Sequence, residues 1–387
     1  VYLTRLSLTH FRNFARLDME IPRRVILLAG NNAQGKTSFL EAVYFLAAMT
    51  SFQTYSDRQL VNFLAARESL AVGRIVAEFR RGEKTHRIEI RLILDSSNGN
   101  GKRLRKEIFL DGVRRKAVDA VGLFNASLFV PQMSQIIEGS PDERRRYLNM
   151  TLSQVVPAYV RALTDYTRAL SQRNALLKQL NERGGDPGQL SYWDDFLAEK
   201  GALLIFSRIR GVRELERIAA KIHDTLTRGA EVLRLSYQPS YAPEDESAPT
   251  EVIRAGFKKR LESLRAMEIS RGVTTVGPHR DELRFLSNGV DLGNYGSRGQ
   301  IRTALLSLKL AEVDWMKEKT GEYPVILLDE IMAELDPQRR EDMLSYVKKS
   351  EQVFLTTTDA EFFPETFVSD AAVWRVEGGQ ILPEDTF

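Results

Sequence analysis

The residues best suited to chemistry are eight in a row, Gly30-Asn31-Asn32-Ala33-Gln34-Gly35-Lys36-Thr37. They fit the G-x-x-x-x-G-K-[ST] phosphate-binding loop, between an apolar run and a helical pattern. The glycines let successive backbone N–H groups turn toward one phosphate, and the helix that follows adds its positive end. Lys36 is placed to reach the β/γ-phosphates, the Thr37 hydroxyl to ligate Mg²⁺, and Ser38 follows in the first turn. A second group is Ile326-Leu327-Leu328-Asp329-Glu330. Three apolar residues ending in an acid describe a buried strand, which delivers a carboxylate at the edge where open α/β sheets bind ligands. Asp329 is expected to hold Mg²⁺, directly or through water, and Glu330 to orient or polarise an attacking water.

Ser297-Arg298-Gly299-Gln300 precedes that strand and opens an apolar helix. A Ser-x-Gly-Gln turn at a helix start is the signature loop of ABC-type ATPases. There the Ser hydroxyl, the Gly N–H and the helix dipole face the γ-phosphate of ATP bound by another subunit. A serine at this position also makes a plain helix N-cap. Glu334-Leu335-Asp336 matches the D-loop of the same class. The order of phosphate loop, signature turn, acidic strand and D-loop selects ATP with Mg²⁺ as the ligand.

These groups need rigid elements. Leu3, Leu6 and Leu8 among polar residues read as a strand, and Val25 to Ala29 as a strand buried on both faces. A helix is expected from Ser38 to Ala48. Residues 72–113 read as several strands, with a turn at Ser96-Ser97-Asn98-Gly99-Asn100-Gly101. After Pro157 the pattern becomes helical: Tyr159, Leu163, Tyr166, Leu170 and Leu177 form a heptad-like stripe. Gly184 to Gly188 break it, and a second helix carries Trp193, Phe196, Leu197, Leu204, Ile205, Val212, Leu215 and Ile222. A third helix is expected from Val252 to Met267. Val325 to Leu328 and Gln352 to Thr356 are buried strands. The reading is an α/β fold: an ATPase head from residues 1–130 and 272–387, with a largely helical lobe inserted at 131–271.

Composition removes other classes. The 387 residues are 43% hydrophobic and 28% charged, with no cysteine and four histidines. Disulfides, thiolate zinc sites and iron–sulfur clusters are thereby excluded. No apolar run is long enough to span a membrane, and the first residues lack a signal-peptide layout. A cytoplasmic protein is expected. The formal charge of +3 hides an asymmetry: from Glu322 onward there are 5 basic and 15 acidic residues, so the preceding part carries +13. Basic clusters lie at 102–106 and 114–116, at 141–180 (Arg144, Arg145, Arg146, Arg161, Arg168, Arg173, Lys178) and at 254–271. They are candidates for phosphate contact whose strength falls with salt.

Phe11-Arg12-Asn13-Phe14, the phosphate loop, Gly139-Ser140-Pro141 with Arg144 to Arg146, Gln172-Arg173-Asn174, Gly277-Pro278-His279-Arg280-Asp281, Ser297 to Arg302 and Glu334 to Asp336 together resemble the RecF proteins of bacterial DNA repair. The resemblance runs in order along nearly the whole chain. It implies an ABC/SMC-like ATPase head that dimerises on ATP, hydrolyses it weakly with stimulation by DNA, and binds double-stranded DNA and single-strand/double-strand junctions. It further implies work with RecO and RecR at gapped DNA, where RecA is loaded. Arg12 is then expected near the adenine or a phosphate. Many relatives have Asp-Asp where this chain has Asp329-Glu330, which strengthens Glu330 as the catalytic group. Pro131-Gln132-Met133 stands where the family commonly has Pro-Glu-Asp, so Gln132 is the expected Mg²⁺ or water contact. No histidine follows Thr356, so Thr357, Thr358 or Asp359 would replace the switch histidine of transporters. His279 is read as organising a turn. Competing readings are a transporter ATPase subunit, an OLD-type nuclease, which the few residues after Asp336 disfavour, and an adaptor that binds ATP but hardly hydrolyses it.

Overall fold

The computed structural model describes residues 1–54, 56–95, 103–359 and 362–383. The expected turn from Ser96 to Gly101 and the first residue of the basic cluster, Lys102, lie outside the described residues. The chain forms two compact units, 1–133 with 312–387, and 134–311. The first break falls close to the expected one, whereas the second comes 40 residues later than residue 271. The reason is pairing that local pattern did not reveal. Strand Glu282–Ser287 pairs antiparallel with strand Leu233–Gln238, and Asp281 accepts from Arg208 on a long helix of the same unit.

The first unit holds two sheets. One is antiparallel, in the order Phe14–Glu20, Tyr2–Phe11, Leu70–Arg81, Lys84–Asp95, Arg103–Leu110, Val113–Arg115. Leu3, Leu6, Leu8 and Phe11 are buried although Leu3 and Leu6 are three apart. A register shift between Leu3 and Arg5 restores them to one face. The other sheet runs Gln380–Pro383, Ala372–Glu377, Val25–Ala29, Val353–Thr357, Val325–Asp329, Ala126–Phe129, and all but the first strand are parallel. The phosphate-loop strand Val25–Ala29 and the acidic strand Val325–Asp329 therefore flank Val353–Thr357, with their C-terminal ends on one edge. Helix Lys36–Ala48 begins two residues before its expected start and buries most of its length. Phe39 packs on Phe354 and Trp374 at ring-centroid distances of 5.3 and 6.1 Å, which seats the helix on this sheet.

The second unit is built on helices Pro141–Val155, Tyr159–Arg183, Ser191–Thr227 and Thr250–Arg271, with a small three-stranded sheet. Tyr159–Arg183 and Ser191–Thr227 have 25 and 37 residues, so they span about 37 and about 55 Å. The buried face of the first is Tyr159, Ala162, Tyr166, Ala169, Arg173, Leu177 and Leu180. Leu163 and Leu170 are only half-buried, because the small Ala162 and Ala169 take the close contact.

Arg173 corrects an expectation. It is fully buried rather than a phosphate contact: Nε donates to Asp194 and Nη1 to Glu268, both at 2.7 Å, and Nη1 also donates to Thr274 at 2.8 Å. Arg265 donates to the second Asp194 oxygen at 2.7 Å. A second buried arginine, Arg208, reaches Tyr159, Pro278, Asp281 and Asn149 at 2.6–3.0 Å. Arg144 is likewise committed, as its fork donates to both Glu282 oxygens at 2.6 and 3.0 Å.

Candidate nucleotide site

Two glycines shape the phosphate loop. A Cβ on Gly30 would stand 2.3 Å from the Val376 carbonyl oxygen, and one on Gly35 (φ +123°) 2.6 Å from the Asn13 side chain. Asn13 earns its place in Phe11 to Phe14 by donating to the Gln34 carbonyl at 2.9 Å, while Gly379 N–H donates to the same oxygen at 3.0 Å. The loop is thus backed by two neighbouring turns. Gly35 provides no side-chain cap for the helix that follows, so its leading N–H groups stay available to an anion. Lys36 is buried, with Nζ donating to the carbonyls of Gly30 at 2.6 Å and Asn31 at 3.1 Å and lying 3.1 Å from Glu330.

Asp329 sits at the end of its strand as expected. Its Oδ1 accepts from Thr37 at 3.0 Å and from Thr356 at 2.8 Å. Burial pushes the Asp329 carboxyl up, against the pull of those two donors and of Lys36. Glu330 is in the left-handed region (φ 51°), and its N–H donates to Thr356 Oγ1 at 2.9 Å. Such a conformation costs energy for a non-glycine residue and gathers at functional sites. Thr356 was read only as strand. It faces Asp329 in register on the adjoining strand, a relation visible only once the strand order is known. Thr357 instead bonds with Asp359 in a turn, accepting its N–H at 3.1 Å.

A cavity of about 600 Å³ opens over these groups. Asn32 to Ser38, Gln132, Asp329, Glu330 and Arg12 line it. Gly30 and Asn31 act through their carbonyls on Lys36. Arg12 lies at the rim, but its fork is held by the fully buried Glu41 at 2.6 and 2.8 Å and by the Gln59 carbonyl at 3.1 Å. Gln53, Gln59, Val61, Asn62, Phe63 and Leu64 also line the cavity, and no motif in the sequence points to them. Phe63 among them is 71% exposed. An irregular segment has no periodicity to announce such a role.

Ser297 to Gln300 belong to the second unit and form a reciprocal capping box. Ser297 Oγ accepts the Gln300 N–H at 3.2 Å, and Gln300 Oε1 accepts the Ser297 N–H at 3.1 Å. Ser297, Arg298 and Gly299 are exposed. Asp336 caps helix Pro337–Val347 by accepting the Arg339 N–H at 3.0 Å, which lowers its pKa. His279 Nε2 donates to the Thr274 carbonyl at 3.1 Å, Nδ1 of the neutral ring accepts from the Tyr166 hydroxyl at 2.8 Å, and burial drives its pKa down to about 4. It organises the turn.

A phosphate loop, an acidic strand two places away in a parallel sheet and a helical insertion together define an ATPase head of the SMC/RecF kind. The RecF/RecN/SMC N terminal domain family matches residues 2–379. A protein of Roseiflexus castenholzii called DNA replication and repair protein RecF is 39% identical, over 99% of this chain and all of its own length. The solved structures of the recombination mediator protein RecF with ATPrS and with ATP, in the RecFOR pathway, superpose with a TM-score of 0.86 at 31% and 30% identity, covering 99% of this chain and 98% of theirs. The chain belongs to the RecF family.

Proposed function

We propose that this chain is an ATP-dependent DNA clamp of replication and repair, in which two copies close on two ATP molecules and hold DNA while they are closed. The observation that carries the reading is the gathering of Lys36, Thr37, Asp329, Glu330 and Thr356 at one end of three neighbouring parallel strands. Each nucleotide would lie between the phosphate loop of one copy, Gly30 to Ser38, and the exposed Ser297, Arg298 and Gly299 with the half-buried Gln300 of the other, with Asp336 on the D-loop nearby. Mg²⁺, when bound, would be held by Thr37, Asp329 and Gln132 and would neutralise charge on the β- and γ-phosphates. Lys36 now restrains Glu330. A γ-phosphate would draw the ammonium away and leave the Glu330 carboxylate to orient water. Arg12, held by Glu41, would border the nucleotide.

DNA would be gripped through its backbone, without base reading. Exposed Arg103, Arg105, Arg114 and Arg115 on one sheet edge suit that role. The fitting targets are duplex DNA and single-strand/double-strand junctions, with RecO and RecR as partners in loading RecA. The RecF names of the relatives support this assignment.

A second reading has two observations in its favour: the 3.1 Å Lys36–Glu330 pair and the strained Glu330 backbone suit an adaptor that binds ATP and hardly turns it over. Steady-state hydrolysis with and without gapped DNA separates the two. The clamp predicts turnover that DNA stimulates and that Glu330→Gln lowers at least about tenfold, with ATP still bound. Turnover indifferent to both DNA and Glu330→Gln supports the adaptor.

A further inference from the structure

Gln300 uses both ends of its carboxamide. Its Oε1 accepts the Ser297 N–H at 3.1 Å, and its Nε2 donates to Glu231 Oε1 at 3.3 Å. Glu231 stands just beyond helix Ser191–Thr227, and its N–H lies 3.4 Å from Thr227 Oγ1 at the last residue of that helix. Its other carboxylate oxygen accepts from Ser287 Oγ at 2.7 Å and lies 3.5 Å from Nε2 of the buried His223. His223 Nδ1 is 3.0 Å from Ser307 Oγ, and Ser307 sits on the same helix, Arg298–Thr320, that Gln300 opens. The path leaves that helix at its first turn and rejoins it two turns on.

An amide side chain has two nearly isosteric orientations, and its partners decide which one is populated. The Glu231 carboxylate accepts and cannot donate when ionised, so it fixes the Gln300 NH₂ on its own side and the Gln300 oxygen toward Ser297. With the amide reversed, an NH₂ would confront the Ser297 N–H and the capping box would open. We infer that Glu231 is a positioning residue for the signature loop: by orienting the Gln300 amide it holds Ser297 and Gly299 in the shape that a second copy's nucleotide would meet. The inference rests on the proposed role of that loop in closing the dimer.

The test is ATP-dependent self-association of the full chain, measured by sedimentation over a concentration series. It is paired with ATP affinity at concentrations where the chain is monomeric. Gln300→Ala is expected to weaken association clearly. Glu231→Ala should weaken it about tenfold, as loss of a charge-assisted hydrogen bond does, with monomer ATP affinity within about twofold of the parent chain. The double variant should be no worse than Gln300→Ala alone, because both changes cut one connection. Glu231→Gln, which keeps an acceptor oxygen and the packing, should recover most of the loss and so separates positioning from general damage to the fold. If Gln300→Ala weakens association while Glu231→Ala leaves it intact, or if the two losses add in full, the positioning role is wrong and the loop reading stands. If Gln300→Ala itself has no effect, the loop reading fails and the positioning role falls with it.

Discussion

Lys36 and Arg173 are both buried cations beside carboxylates, at 3% and 0% exposure, and their surroundings differ in kind. Lys36 faces one half-open carboxylate, Glu330, and two loop carbonyls at the wall of a cavity of about 600 Å³. Arg173 has two fully buried carboxylates and a threonine hydroxyl, in a fixed geometry. The first arrangement can exchange a partner for a phosphate. The second cannot change without stranding a charge in the interior. Both belong to motifs that stand out in the sequence, so a distinctive motif marks either chemistry or architecture, and burial with its partners tells which. Gln172-Arg173-Asn174 and Gly277 to Asp281 are architecture. Asn174 accepts from the Thr274 N–H at 2.8 Å, and Asp281 accepts from Arg208 at 2.9 Å and from the Ser240 N–H at 2.8 Å.

The contrast can be broken most forcefully at Arg173. Arg173→Met leaves Asp194 and Glu268 buried without their shared partner and should destabilise the chain by about 3–5 kcal/mol in chemical denaturation. A loss near 1 kcal/mol would mean that the network is not fixed.

His279 probes the same unit by pH. An unfolded chain protonates it near 6.5, while the folded site resists until about 4. Acid therefore favours the unfolded state between these values. Stability should rise from about pH 4 to about pH 6.5, by on the order of 3 kcal/mol, and this contribution should be flat outside that window. The His279→Gln variant should lose this part of the slope, and an unchanged slope would place the titration elsewhere.

Thr356 sharpens the other side. Thr356→Val keeps the strand and removes a donor to Asp329 and an acceptor for the Glu330 N–H. It should slow hydrolysis about tenfold, as loss of about 1–2 kcal/mol of hydrogen bonding does, with little change in thermal midpoint. Unaltered turnover would remove Thr356 from the site.

The phosphate loop, the acidic strand and the long helical pair were legible because each is a local pattern: a glycine spacing, a short apolar run, a periodic stripe. Thr356 was not, since its role comes from lying between two strands that are far apart in the chain. Arg173 was misread because a charged residue on a helix is usually solvated, and its carboxylate partners lie 21 and 95 residues away. The unit boundary moved from 271 to 311 because strand Leu233–Gln238 pairs with Glu282–Ser287, beyond the expected break; its alternation, Leu-Arg-Leu-Ser-Tyr-Gln, marks a strand but does not name its partner. The lining residues Gln53, Gln59 and Val61 to Leu64 follow no periodic pattern.

The central claim is that ATP joins two copies of this chain through the phosphate loop and the signature turn. Light scattering of the Glu330→Gln variant, with and without ATP, tests it most directly. The expected result is a mass that doubles on adding ATP and returns to one chain when Lys36→Ala or Gln300→Ala is introduced. A mass of one chain at saturating ATP, at concentrations well above those used for hydrolysis and with gapped DNA present or absent, would contradict the clamp.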